Sequence, residues 1–188
     1  MNKYLLASVI ALSVSSGIAQ AADGTITFNG LVTSSACTAI ASVTADATGT
    51  PGTAVLTLDN VTASTLNAAA GTYAGMKPFS IQLTGCEATA ALNNVRALFT
   101  TTSAVGGAIA NTALVTPAAN VAIAILQQNG TTQIDVNGGA ASDPGVALPP
   151  TGSPGPLTLN YKAAYKSLST GVTSGNVTGV ADFVISYF

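Results

Sequence analysis

The chain has 188 residues, a length typical of one domain. Only 6% of its residues are charged, the formal net charge is −2, and histidine and tryptophan are absent. These values exclude a basic surface for nucleic acid or anionic lipid, and they remove the commonest general base and metal ligand. Hydrophobic residues make up 48% of the chain, yet so few charges give a poor surface for a dispersed monomer. The composition therefore points away from catalysis and toward an assembled or packed state.

Residues 1–21 are predicted to be a cleaved secretory signal peptide. Lys3 supplies the positive start, residues 5–14 form an apolar stretch of ten, and Ala19–Ala21 is an A-x-A cleavage site. A membrane anchor is the alternative, but a span needs roughly 20 apolar residues and two serines interrupt this stretch. We expect the mature chain to begin at Ala22, to be exported, and not to insert into the membrane.

The two cysteines are predicted to form a structural disulfide. Cys37 and Cys86 lie 49 positions apart, without C-x-x-C spacing, and no third cysteine could complete a zinc site. Export places both thiols in an oxidising compartment, where disulfides form and persist. A redox pair or two free thiols are the alternatives.

Alternation of apolar and polar residues at a period of two recurs along the mature chain, and helical periodicity does not persist. This pattern predicts short β-strands. They lie at residues 25–33, 53–58, 78–83, 95–101, 121–127, 157–165 and 181–188.

The connecting segments carry turn signals. Asn129-Gly130 predicts a type I′ hairpin, in which both central residues take a positive φ. Five prolines and three glycines predict that residues 143–156 form a loop. Residues 63–73 are expected to hold one short helical turn. About seven short strands in an exported chain with one disulfide favour an immunoglobulin-like β-sandwich.

No constellation of catalytic residues is recognisable. Most of the seven carboxylates stand beside turn residues, where aspartate is favoured for its local backbone hydrogen bonds. A G-x-S-x-G elbow and a glycine-rich phosphate loop are missing from the sequence. We therefore expect no enzyme activity, no catalytic residue, no cofactor and no metal.

The first strand of the mature chain has an unusual feature. Ile26, Phe28, Gly30 and Val32 share one face of residues 25–33, and a glycine inside a strand marks a bulge or a close approach of another backbone. An ordinary first strand of a self-contained sandwich is the alternative reading of this periodicity.

Three features together resemble the type 1-family fimbrial subunits, the pilins of the chaperone–usher pathway. The first is the run TITFNGLV, with Gly30 two places after Phe28 and Cys37 seven places after that glycine. The second is the segment Met76–Cys86, which is similar to the strand that carries the second family cysteine. The third is the alternating C-terminus, with an aromatic residue at the penultimate position, Tyr187.

The resemblance implies an all-β fold, an incomplete immunoglobulin-like sandwich that lacks its last strand. Residues 22–36 would form an N-terminal donor-strand extension, and residues 37–188 would form the pilin domain. A periplasmic chaperone would lend a strand to the open groove. At the outer-membrane usher, the extension of another copy would replace it, and the head-to-tail contact would yield a filament.

The resemblance also implies which residues meet the neighbour. The donor-strand residues would be Ile26, Phe28, Gly30 and Val32. The groove-facing or chaperone-facing residues of the C-terminal strand would be Phe183, Ile185 and Tyr187.

The function implied is that of the structural shaft subunit of an adhesive fimbrium on the bacterial cell surface. A minor, adaptor or tip-proximal pilin of the same system is one alternative, and a secreted, self-complete β-sandwich that acts as a binding domain is another. Two tracts, residues 103–120 and 143–156, match no feature of the family, and Phe188 is larger than the polar residue expected at that position.

Overall fold

A computed structural model of the chain describes residues 36–44, 54–137 and 142–188. These residues fold into two packed antiparallel β-sheets with one helical turn. The elements are β1 (Ala39–Thr44), α1 (Ala63–Leu66), β2 (Tyr73–Cys86), β3 (Asn94–Thr100), β4 (Ala104–Val105), β5 (Ala108–Ala110), β6 (Val121–Gln127), β7 (Gln133–Ile134), β8 (Val146–Ala147), β9 (Gly155–Ser167) and β10 (Asp182–Tyr187).

The larger sheet has the strand order β1-β2-β9-β6-β5-β4, and β7 adds to β6. The smaller sheet has the order β10-β3-β8. The two longest strands, β2 with 14 residues and β9 with 13, pair along most of their length in the middle of the larger sheet. They form the frame on which the other elements are placed.

The main core lies between the two sheets. Alternate residues of a strand face the same side, so each sheet contributes one apolar face. The larger sheet supplies Ile81, Leu83 and Leu159, and the smaller sheet supplies Val95 and Ala97, all of them buried. Burial of these faces drives the packing of the sandwich.

The disulfide between Cys37 and Cys86 is confirmed. It joins the residues that flank the β1–β2 ladder and marks what we call the disulfide end of the sandwich, where β9 begins opposite Cys86 at Gly155. The opposite end, where β9 finishes, carries α1 and residues 111–120, and we call it the loop end. Leu168 donates its N–H to the carbonyl of Asn120 there at 2.9 Å.

Most of the strongly alternating segments form strands as predicted. The predicted strands at 78–83, 95–101, 121–127, 157–165 and 181–188 correspond to β2, β3, β6, β9 and β10. The predicted helical turn is α1, and the side chain of its N-cap residue, Thr62, accepts a hydrogen bond from the N–H of Thr65 at 3.3 Å. Among the described residues, no helix is long and apolar enough to span a membrane.

Two predictions about local structure are wrong. A strand was predicted at 53–58, but residues 54–58 pair with neither sheet and belong to no strand. The hairpin between β6 and β7 is not of type I′: Gly130 has a φ of 76°, whereas Asn129 does not take a positive φ. The Asn129 side chain instead accepts the N–H groups of Thr131 and Thr132, so a longer loop closes with a single left-handed residue.

Residues 143–156 form a loop as predicted, apart from the two-residue strand β8 and the first residues of β9. The predicted hairpin at Asn129-Gly130 implies a second arm after the turn, and β7 is that arm. The strands β1, β4, β5 and β8 were not anticipated from the sequence. The predicted signal peptide at 1–21 and nearly all of the predicted extension at 22–36 lie outside the described residues.

Candidate groove between the two sheets

An apolar groove of about 500 Å³ opens between the two sheets on one side of the sandwich. One wall is the segment 54–58, and the other is the chain from Gly179 into β10. The floor of the groove consists of Val43, Phe79, Phe99, Ile109, Ile123, Ile125 and Ala163.

The floor is built around an aromatic cluster. The ring centroid of Phe99 lies 6.0 Å from that of Phe79 and 6.3 Å from that of Phe183. Tyr161 packs beneath, with ring centroids 5.0 Å from Phe99 and 5.6 Å from Phe79. Edge-to-face and tilted contacts at these distances are favourable for aromatic rings, so the floor is a fixed surface of large apolar side chains.

The β10 wall is a sheet edge. Within the described residues β10 pairs only with β3, from Asp182 opposite Thr100 to Tyr187 opposite Val95. A strand in this position presents its remaining N–H and C=O groups outward, which makes it a template for one more strand.

Three predicted site residues lie on the inner face of β10. Phe183 lines the groove, and Ile185 and Tyr187 are half-buried against the same core. Val184 lies between them on the outer face and is 62% exposed. The alternation read from the sequence therefore corresponds to the two faces of this strand.

The end of β10 is held in place by aromatic contacts. Burial raises the pKa of the Tyr187 phenol, which hydrogen-bonds to the backbone of Cys37. Phe188 pairs with Asn94 through both its N–H and its carbonyl, and the Arg96 guanidinium lies 4.1 Å from the centroid of the Phe188 ring. This cation–π contact explains how a large C-terminal residue is accommodated here.

The opposite wall was not recognised as part of a site. Leu56 and Leu58 are half-buried and turn into the groove, whereas Val55 between them is 69% exposed. The Lys77 ammonium donates to the carbonyl of Thr57 at 2.8 Å and ties this segment to β2. The alternation at 54–58 was the signal that could have identified it.

A buried polar network supports the floor. The Tyr161 hydroxyl donates to Asp143 Oδ2 at 2.8 Å and accepts the N–H of Ala97 at 3.1 Å. Asp143 Oδ1 accepts the N–H of Gly145 at 2.9 Å, and Arg96 donates to the Asp143 carbonyl at 3.1 Å. The network links β9, β3 and the loop before β8. Strand β8 pairs with β3 only at Asn94 and Val95, and at Ala97 the Tyr161 hydroxyl accepts the backbone N–H.

The lining of the groove is largely apolar. Among its described lining residues, Asp182 alone carries a charge. No group of His, Cys, Asp or Glu side chains in the described part of the chain could hold a metal ion. An open apolar trough beside a strand edge fits an extended segment with alternating apolar side chains. The four predicted donor residues, Ile26, Phe28, Gly30 and Val32, lie outside the described residues.

Comparisons of sequence and of structure both find similarity to fimbrial subunits. The sequence profile of the fimbrial protein family matches residues 26–188. The major fimbrial subunit SMF-1 of Stenotrophomonas maltophilia is 35% identical over 90% of this chain and 95% of its own length. The F17 fimbrial protein of Escherichia coli is 34% identical over 100% of this chain and 99% of its own length. A chain from a chaperone–usher pilus, solved to explain rod uncoiling, is 25% identical, with a TM-score of 0.57 over 89% of this chain and 96% of its own length.

Proposed function

Because the chain belongs to the fimbrial protein family, and is a structural subunit of a surface fimbria exported through the periplasm, we propose that its copies polymerise head to tail by donor-strand exchange. In this proposal the sandwich at 37–188 is incomplete by one strand. Residues 22–36 of another copy supply that strand once the signal peptide at 1–21 has been removed. The subunit is the repeating component of the shaft and catalyses no reaction.

The observation that carries the proposal is the groove itself. It has an apolar floor and an edge strand, β10, along one wall. An added strand would form backbone hydrogen bonds with that edge and place alternate side chains on the floor. The lining, which is apolar apart from Asp182 and a few small residues, suits the sequence of the extension, whose inward face would carry Ile26, Phe28 and Val32.

The same geometry gives an approximate free energy for binding of the extension in the groove. Burying three large apolar side chains contributes on the order of 5–8 kcal/mol before the costs of ordering are subtracted. Gly30 would stand where the extension crosses the tightest part of the floor, since a residue without a side chain allows the two backbones to approach most closely. Backbone pairing along β10 adds to this and slows dissociation.

The open groove also requires a partner before polymerisation. An exposed apolar trough beside an unpaired edge invites aggregation, so the subunit needs a temporary cover in the periplasm. A periplasmic pilus chaperone that lends a strand to β10, with contacts to Phe183, Ile185 and Tyr187, meets that need. An outer-membrane usher would then exchange the chaperone for the extension of another copy.

The test compares two substitutions within the extension. Gly30→Leu places a large side chain on the face that enters the groove, and Thr27→Leu places the same side chain on the opposite face. Protein sheared from the cell surface is run in SDS, unheated and boiled. We expect Thr27→Leu to give a ladder that collapses to monomer only on boiling, and Gly30→Leu to give little or no ladder while the chaperone-bound monomer persists. Equal ladders from both variants would rule out the assigned donor face.

A further inference from the structure

A pair of apolar side chains is displayed at the loop end of the sandwich. Leu114 is 97% exposed and Val115 is 70% exposed, at the tip of the loop 111–118 between β5 and β6. Large aliphatic residues this exposed and adjacent are uncommon on a protein surface, and they indicate an interaction site when the backbone beneath them is fixed.

The backbone beneath this tip is fixed by two asparagines. The Asn111 side chain accepts the N–H groups of Ala113 and Thr178, and donates to the carbonyls of Ala118 and Asn176 at 2.9 Å each. The Asn176 side chain donates to the carbonyl of Val115 at 2.8 Å. A tip held in this way is already in one conformation, so binding costs little ordering of the loop.

The tip stands beside one end of the groove. Thr112 donates its N–H to the carbonyl of Thr178 at 2.8 Å, and the next residue, Gly179, lines the groove. Leu114 lies two positions after Thr112. A segment of another copy that leaves the groove at this end therefore comes close to Leu114 and Val115.

The length of the chain determines what passes there. Val32, the last donor residue, is followed by Cys37 five positions later, a span of at most about 17 Å. The disulfide end of the donor copy must therefore lie near one end of the acceptor's groove. That end of the groove cannot be at the acceptor's own disulfide end. The acceptor's extension leaves from its disulfide end toward another copy, so a donor placed there would stop the filament from growing. The donor's disulfide end accordingly abuts the acceptor's loop end.

The disulfide end offers a matching surface in two loops. Ala90, Ala91, Pro150 and Pro154 are all exposed, and the two loops that carry them are cross-linked by hydrogen bonds. Ala88 donates its N–H to the carbonyl of Pro149 at 2.7 Å, and Thr151 Oγ1 donates to the carbonyl of Ala88 at 2.7 Å. The Glu87 carboxylate accepts the N–H of Gly152 within the same surface.

We propose that Leu114 and Val115 of one subunit pack on the alanine- and proline-rich surface of loops 88–92 and 149–154 of the next subunit, as a second contact beside the donor strand. The inference rests on the proposed strand exchange and gives a role to the two sequence tracts left without one. The donor strand holds consecutive subunits together, and this contact fixes the angle between them.

Cross-linking in assembled filaments tests the contact. Leu114→Cys is combined with either Ala91→Cys or Pro150→Cys, and sheared filaments are treated with a short bismaleimide. The native cysteines are joined in a disulfide and do not react. The two positions of a pair lie at opposite ends of β9, about 40 Å apart in one copy, so a cross-link must join different copies. Leu114→Cys with Thr131→Cys is the control, since Thr131 is exposed in the β6–β7 hairpin.

We expect the test pairs to give a ladder that survives boiling, and the control pair and single-cysteine variants to give monomer on boiling. A ladder only in unheated samples, with monomer after boiling for both test pairs, would overturn the contact and leave strand exchange standing. Monomer in the unheated sample as well would overturn strand exchange, and the contact with it.

Discussion

Replacing Tyr161 with phenylalanine removes one hydroxyl from beneath the groove and leaves two buried groups without their partner. The Asp143 carboxylate, only 6% exposed, loses the donor to its Oδ2 atom, and the fully buried N–H of Ala97 loses its acceptor. The ring itself stays, so the aromatic packing with Phe79 and Phe99 is preserved. The substitution therefore isolates the polar network from the apolar floor.

The expected cost follows from the unsatisfied groups. Leaving a buried donor or acceptor unpaired costs about 1–3 kcal/mol for each group. With two such groups, and partial relaxation of the structure around them, we expect Tyr161→Phe to lower the free energy of unfolding by roughly 3 kcal/mol. For a domain of this size, each kilocalorie lowers the melting temperature by about 2–4 °C, so we expect a loss of roughly 6–12 °C.

The assay is calorimetry of sheared filaments, with Tyr73→Phe as the matched control. Tyr73 also donates a hydrogen bond, to Gln133 at 3.0 Å, but it is only half-buried and its partner can turn to water. We expect a small shift for the control. A Tyr161→Phe shift no larger than the Tyr73→Phe shift would refute the view that the network stabilises the fold.

The same hydroxyl predicts a dependence on alkaline pH. Burial raises the pKa of the Tyr161 phenol above its ordinary value near 10, and the adjacent Asp143 carboxylate raises it further. Because the folded-state pKa is the higher one, the stabilisation is complete below pH 10 and is lost as the pH rises above it. Tyr161→Phe should therefore flatten the decline in melting temperature above pH 10, while Tyr73→Phe changes it less.

Three further predictions concern other parts of the fold. Cys37→Ser should lower the amount of subunit in the periplasm, because a disulfide across a sequence separation of 49 stabilises the fold by about 4 kcal/mol in the chain-entropy model. Immunoblotting under reducing conditions measures the amount of subunit. Phe183→Asp should reduce copurification with the chaperone while Val184→Asp leaves it unchanged, since only the former side chain lines the groove; equal losses would contradict the assignment of faces. Phe188→Ala should lower the melting temperature of filaments by only a few degrees, because an exposed cation–π contact contributes about 0.5–1 kcal/mol.

The strands that alternate over six or more residues could be predicted from the sequence, since one face of each is buried in the core. The strands β4, β5 and β8 contain two or three residues each, too few to show a period, and β7 was indicated only by the turn signal at Asn129-Gly130. Residues 54–58 show the opposite case. Leu56 and Leu58 are half-buried and Val55 is exposed, so the side chains alternate, but the ladder that would make them a strand is found in neither sheet.

The site was predicted where it depends on local pattern and missed where it depends on tertiary contact. The inner face of β10 follows from the alternation of Phe183, Ile185 and Tyr187. The position of Asp143 beside turn residues correctly indicated a local backbone hydrogen bond, which is the one from Gly145. Its second partner, Tyr161, lies 18 residues further along on another strand, and no local signal reports that pairing.

All four basic residues that follow the predicted signal peptide lie inside strands, which bears on the survival of a surface fibre. Lys77 is in β2, Arg96 in β3, and Lys162 and Lys166 in β9. Three of these side chains are also held by contacts: Lys77 donates to the carbonyl of Thr57, Arg96 lies over the Phe188 ring, and Lys166 donates to Gln133 at 2.6 Å. A protease must draw its substrate into an extended, unpaired form, so trypsin-like enzymes would have to open a sheet before cutting. In the part of the chain that the structure describes, every lysine and arginine lies within a strand, so each tryptic site there is protected by sheet pairing.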